Sequence, residues 1–190
     1  MAQERYVVRA DEMEENASWF SHPWNPNSEL LGTRLSSMVG LTRIGVNWVR
    51  VPPGKKSFVY HSHHREEEWL YVLSGHGVVE IGDEEVEVGP GDFVGFPAPQ
   101  APHHLRNSSG EEDLVYLVGG EVLDVDVAEF PRLGKRMVRR GGTSRSTTSR
   151  PQRGSARSKD SWLPCSPRRP PDGRMIICSG SYQPRRRASS

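Results

Sequence analysis

The chain of 190 residues reads as all-β, a closed barrel or sandwich of antiparallel strands. Three observations carry that reading. From Leu41 onward, short runs rich in Val, Ile, Tyr, Phe and Trp recur between Gly, Pro and Asp punctuation. Those runs follow one another at a spacing of about eight to twelve residues, the interval of short strands joined by turns. Hardly any stretch spaces its apolar residues three and four apart, as a helix packed on a core must.

The first 40 residues precede that pattern. Trp19, Phe20, Trp24 and Leu30 make them too apolar to stay unstructured, and Pro23 and Pro26 break them too often for one long helix. They read as an extended N-terminal arm with a short helix at Asp11 to Asn16. Its aromatics pack either on the outside of the barrel or on a second copy of the chain. Residues 41–134 form the barrel. "RIGVNWVRV" is a strand closed by the turn "PPGKK"; "SFVYHSH", "EWLYVLSG" and "HGVVEI" follow. Gly82 and Asp83 then read as a tight hairpin into "EEVEV", and "GPGD" at Gly89 to Asp92 as a second turn into "GDFVGFP". "HHLRN" and "DLVYLVGG" complete the set.

Residues 135–190 read as a basic, Ser/Arg-rich tail, disordered from about Gly141, because it has too few apolar residues to offset the entropy of ordering it. Charge divides at the same place. Up to Gly134 there are 10 Lys and Arg against 22 Asp and Glu, net −12; beyond it there are 15 against 2, net +13. The near-neutral total therefore averages an acidic barrel and a basic extension. Trp162 and Tyr182 do not interleave regularly with the arginines, so base stacking by the tail has little support and nucleic acid is not the expected partner. Both cysteines, Cys165 and Cys178, lie there without metal-finger spacing. The N-terminal residues lack the apolar stretch of a secretory signal, and no run approaches the length of a membrane span. A cytoplasmic protein is the expectation.

The chemistry concentrates in "HSHHREEEWLYVLSG", His61 to Gly75. On a strand, residues two apart share a face, so His61 and His63 project together while Tyr60, Ser62 and His64 project oppositely. Glu68 opens the next strand and can swing to the same pole. A further imidazole comes from His103 or His104, of which only one can face inward. If His103, Leu105 and Asn107 share the inward face, His104 and Arg106 stand in solvent, which spares the barrel a buried arginine. Three imidazoles and a carboxylate suit Fe, Mn, Ni, Co or Zn as a divalent ion and leave coordination positions open for a ligand. The alternative is a solvated charge cluster on a hairpin. The shared face of His61 and His63 and the third imidazole at a later strand start favour the metal. His76, between two glycines, and His22, in the arm, are expected at the surface, and Glu66 and Glu67 in water. Trp48, Phe58, Trp69, Tyr71, Phe93 and Phe96 are expected in the core.

These residues resemble the two motifs of the cupin superfamily. His61, Ser62, His63, four residues, Glu68, six residues and Gly75 match the first motif; Gly91 with Pro97, and His103 with Asn107, match the second. The resemblance covers about Leu41 to Gly120. It implies a double-stranded β-helix (jelly-roll) barrel with His61, His63, Glu68 and His103 as the metal ligands. Two departures stand in the second motif: Pro99 where the pattern has Gly, and one extra residue before His103, which keeps His104 open as the fourth ligand. Two functions follow. One is a metal-dependent enzyme of dioxygenase, isomerase or lyase class acting on a small organic acid or carbonyl compound; the other is a module that binds a small ligand or metal without turnover. The catalytic residues are not legible, and no phosphate loop or nucleophile triad is recognisable.

Overall fold

The computed structural model describes residues 5–99, 101–141 and 143–148. Thirteen strands, joined by antiparallel pairing, make up most of it: β1 Ser18–Phe20, β2 Leu30–Arg34, β3 Ile44–Val51, β4 Ser62–His63, β5 Glu68–Ser74, β6 Gly77–Ile81, β7 Glu84–Val88, β8 Phe93–Phe96, β9 His103–Asn107, β10 Leu114–Glu121, β11 Val125–Phe130, β12 Lys135–Arg140 and β13 Thr143–Thr148. Two short helices, α1 Ala10–Glu15 and α2 Leu35–Met38, flank β1 and β2. No helix among the described residues is long and apolar enough to cross a membrane.

One layer is a six-stranded sheet in the order β1-β2-β3-β10-β5-β8. The other is a four-stranded sheet, β13-β12-β11-β4, and a three-stranded sheet, β7-β6-β9. His61 and His103 stitch these two together, since each backbone N–H donates to the other's carbonyl, at 3.1 and 2.7 Å. This is the jelly roll. Alternation decides what fills it: Val49 and Val51 of β3, Leu70 and Val72 of β5, Val79 of β6, Leu105 of β9 and Leu114 and Tyr116 of β10 form one buried cluster. A second cluster, Val59, Ala128 and Phe130 with Trp24, Phe58 and Met137 against it, lies under the arm.

The turn chemistry holds. Gly82 has φ 60° and Gly91 φ 91°, so the tight turns fall on residues free to adopt left-handed conformations. Gly75 is bound more closely: its φ is 74°, and a Cβ there would stand 2.1 Å from the carbonyl oxygen of Asp113. Only glycine fits. The short helix in the arm runs one residue earlier than expected, from Ala10 to Glu15.

The C-terminal boundary moves. Lys135–Arg140 and Thr143–Thr148, expected in the tail, are strands that extend the second layer beyond β11. Their basic residues meet the acidic barrel face to face. Arg136 pairs with Glu129 opposite it on β11, Arg139 binds Glu66, and the Lys135 ammonium sits 4.1 Å from the centre of the Trp24 ring. A composition count across Gly134 could not show this, because the charges that looked like an appendage find their partners in the barrel and the arm. The disorder expected beyond Thr148 lies outside the described residues.

Candidate metal centre

β4 is only two residues long, yet it sets two of the imidazoles. Ser62 and His63 pair with Glu129 and Ala128 of β11, and His61 pairs with His103 of β9. His61 and His63 therefore stand on one face of a segment held from both sides, with ring centres 5.1 Å apart. Glu68 begins β5 in the facing sheet and reaches across. His103 begins β9, its ring stacked 3.7 Å from that of Phe96.

The Nε2 atoms of His61, His63 and His103 lie 3.8, 4.0 and 3.0 Å from Glu68 Oε2. Donors each about 2.1 Å from a shared ion stand about 3 to 4.2 Å apart, from adjacent to opposite positions of an octahedron. The group has the dimensions of a divalent site.

The tautomers suit it as well. His61 Nδ1 donates to the Val59 carbonyl at 2.7 Å, and His63 Nδ1 donates to Asp126 Oδ2 at 2.6 Å. His103 Nδ1 has the Ala101 carbonyl at 3.3 Å. With the proton on Nδ1, His61 and His63 keep the Nε2 lone pair for a metal, whereas His103 Nε2 donates to Glu68 Oε2 at 3.0 Å and would be free for a metal once its proton moves to Nδ1, toward the Ala101 carbonyl. Burial pushes the His61 imidazole down to about 3, against the attraction of Glu68, so it stays neutral. For Glu68, burial raises the carboxyl, but the hydrogen bond from His103 and the surrounding imidazole rings prevail and hold it below its ordinary range. A neutral His61 beside an ionised Glu68 is the pairing that ligation requires.

Asp126 was not legible as a site residue. It is buried on β11; one oxygen holds His63 and the other accepts the backbone N–H of Arg65 at 3.1 Å. The signal was a lone carboxylate between valines in "VDVAEF", on a strand whose alternation turns it inward. His63, Glu66 and Asp126 are also close enough to suggest a second ion. However, Glu66 already accepts the Leu123 N–H at 2.6 Å and an Arg139 N–H, and Asp126 is taken by His63 and Arg65. Their carboxylates brace the first site instead.

The structure brings His61, His63, Glu68 and His103 together and turns His104 away from them. His104 is nevertheless not in solvent. It is buried opposite Glu80 of β6, and burial, with Lys56 nearby, lowers its imidazole to about 4. Arg132 reaches over from the turn after β11, binds Glu80 and lies 3.9 Å above the Tyr60 ring, closing this side of the barrel as strand alternation alone could not reveal. Four further expectations shift. His22 is buried against Phe58 with ring centres 4.5 Å apart, Glu66 is buried through its bonds to Leu123 and Arg139, and Tyr71 and Phe93, paired across β5 and β8, are exposed on the outer face of their sheet. His76 and Glu67 are exposed, as expected.

The four residues open onto a cavity of about 510 Å³, lined mainly by apolar side chains that include Leu70, Phe96, Val118 and Phe130. Tyr116 also lines it. Burial pushes its hydroxyl above the ordinary tyrosine value despite a hydrogen bond with Ser57, so it remains protonated.

A family model, the Cupin domain, matches residues 47–120. A solved structure from Acidithiobacillus ferrooxidans, named "Putative sugar phosphate isomerase", is 37% identical, with 75% of this chain and 91% of that one covered and a TM-score of 0.70. A sugar phosphate isomerase of the cupin superfamily from Silicibacter pomeroyi is 25% identical over 75% of this chain and 92% of its own, with a TM-score of 0.66. An uncharacterized protein of Methanocaldococcus jannaschii is 39% identical over 57 residues, and the match spans 44% of its length. By its two motifs, its jelly roll and these likenesses, the chain belongs to the cupin superfamily.

Proposed function

We propose that the protein is a metal-dependent enzyme that isomerises a small phosphorylated hydroxy-carbonyl compound, with His61, His63, Glu68 and His103 as the ligands of one divalent ion. The observation that carries this reading is the convergence of three imidazole Nε2 atoms on one carboxylate oxygen at the wall of a largely apolar cavity. The names of the relatives from Acidithiobacillus ferrooxidans and Silicibacter pomeroyi support isomerase chemistry over the other cupin reactions. His61, His63, Glu68 and His103 would hold the ion, which would supply Lewis acidity to a bound carbonyl. The chain does the rest. Neutral His61 binds without first losing a proton, and Asp126 keeps the His63 proton on Nδ1. Phe96, Leu70 and Phe130 exclude water, and Tyr116 presents a protonated hydroxyl within the cavity. The cavity volume suits a small molecule of this class.

The test is elemental analysis of protein purified without added metal, followed by proton NMR of pentose and hexose phosphates in D2O. Metal near one equivalent and deuterium entering beside the carbonyl are the expected results. Metal-loaded protein that consumes oxygen with small acids and exchanges no deuterium would replace isomerisation by dioxygenase chemistry. We also infer self-association through the outer face of the six-stranded sheet. Phe93, Tyr71 and Leu73 are exposed there, and light scattering after size exclusion reads the mass.

A further inference from the structure

Arg34 ends β2 and lines the cavity. Registers place it in the fold. Arg34 lies opposite Asn47 of β3, Asn47 opposite Val118 of β10, and Val118 opposite Leu70 of β5. Leu70 and Val118 belong to the core and its margin, so this row faces the barrel interior. The next row toward the mouth runs Gly45, Gly120, Glu68. Arg34 and Glu68 thus stand on the same face of one sheet, three strands and one row apart, about 16 Å between backbones at the usual strand and residue spacing. The positions between them carry short side chains or none: Gly45, Gly120, Asn47 and Val118. A small molecule bound to a metal at Glu68 can extend over this floor to the arginine.

Among the described residues the Arg34 guanidinium forms no hydrogen bond or ion pair, and the Asn47 amide likewise has no partner. Both groups are free for a ligand. Arg139, on β12, is near enough for its charge and that of Arg34 to act on each other. Burial, and then the neighbouring charge of Arg34, lower the Arg139 guanidinium, which also pairs with Glu66. An exposed guanidinium without a protein counterion, beside a free amide, has the donors that a phosphate takes.

We propose that Arg34, with Asn47 beside it, binds the phosphate monoester of the substrate while the hydroxy-carbonyl end reaches the metal centre; this rests on the isomerase reading above. It assigns a role to the N-terminal segment, which the family match at residues 47–120 does not cover.

Calorimetric titration of the Mn2+-loaded full chain with ribose 5-phosphate, ribose and inorganic phosphate tests it. Wild type should bind ribose 5-phosphate at least tenfold more tightly than ribose or phosphate. Arg34→Ala should weaken ribose 5-phosphate by about 10- to 100-fold, the usual loss of a charge-assisted bidentate contact, and leave ribose and metal content unchanged. Asn47→Asp, which sets a carboxylate beside Arg34, should weaken it similarly. Equal affinities of wild type and Arg34→Ala for ribose 5-phosphate overturn the assignment, as does equal binding of ribose and its phosphate. Inorganic phosphate binding as tightly as the ester also overturns it, in favour of a free-phosphate site. If the chain holds no metal, the isomerase reading fails on its own. Phosphate titrated into metal-free wild type and Arg34→Ala then decides the arginine separately, since equal affinities there exclude the site.

Discussion

Asp126→Asn changes one atom and isolates the support of His63. The carboxylate accepts twice, from His63 Nδ1–H at 2.6 Å and from the Arg65 N–H at 3.1 Å, and it is buried. An amide has only one acceptor. If its oxygen keeps His63, its NH2 faces the Arg65 N–H, donor against donor. If it turns over, the NH2 donates to Nδ1 and drives the imidazole proton onto Nε2, the atom that faces Glu68. Either arrangement leaves a buried group unsatisfied or removes a metal donor. Changes of this kind cost about 10- to 100-fold in metal affinity, or about 1.4 to 2.8 kcal/mol. Competition for Zn2+ or Co2+ against a chromophoric chelator measures it, with circular dichroism to show that the fold persists. A folded Asp126→Asn protein with wild-type affinity would refute the reasoning, because His63 would then need no carboxylate to present Nε2.

Other outcomes follow from the same geometry. His61→Ala, His63→Ala and His103→Ala should each lose most bound metal by elemental analysis, whereas His104→Ala should keep it and lower the unfolding midpoint, since His104 is buried on the opposite face of β9. Gly75→Ala places a Cβ 2.1 Å from the Asp113 carbonyl at a φ of 74°. It should destabilise by about 3 kcal/mol or more, and so lower the midpoint by about 6 to 12 °C. A chain ended at Gly134 should be less stable in urea than one ended at Thr148 by at least about 2 kcal/mol, because it loses β12 and the contact of Met137 with Phe130 and Val59.

Much of this protein was legible one residue at a time. Period-two alternation and turn residues sufficed for an all-β fold, because each strand must bury one face whatever it later packs on. The same alternation set His61 with His63, and His103 with Leu105, by parity alone. Parity says which residues share a face and nothing about what covers it. His104 was expected in water because it shares a face with Arg106; Glu80 and Arg132, 24 and 28 residues away in sequence, bury it. Charge counting misled for a related reason. Lys135 to Arg140 look like an appendage in composition, but each charge is judged by its neighbour in space, and those neighbours are Trp24, Glu66 and Glu129. Asp126 carried no spacing motif, since it lies 63 residues from the imidazole it holds. Local sequence determined what each segment can become; the bridge between His61 and His103, the Asp126 brace and the meeting of Arg34 with the cavity arise only when distant strands pair, because those contacts are set by register across sheets and not along the chain.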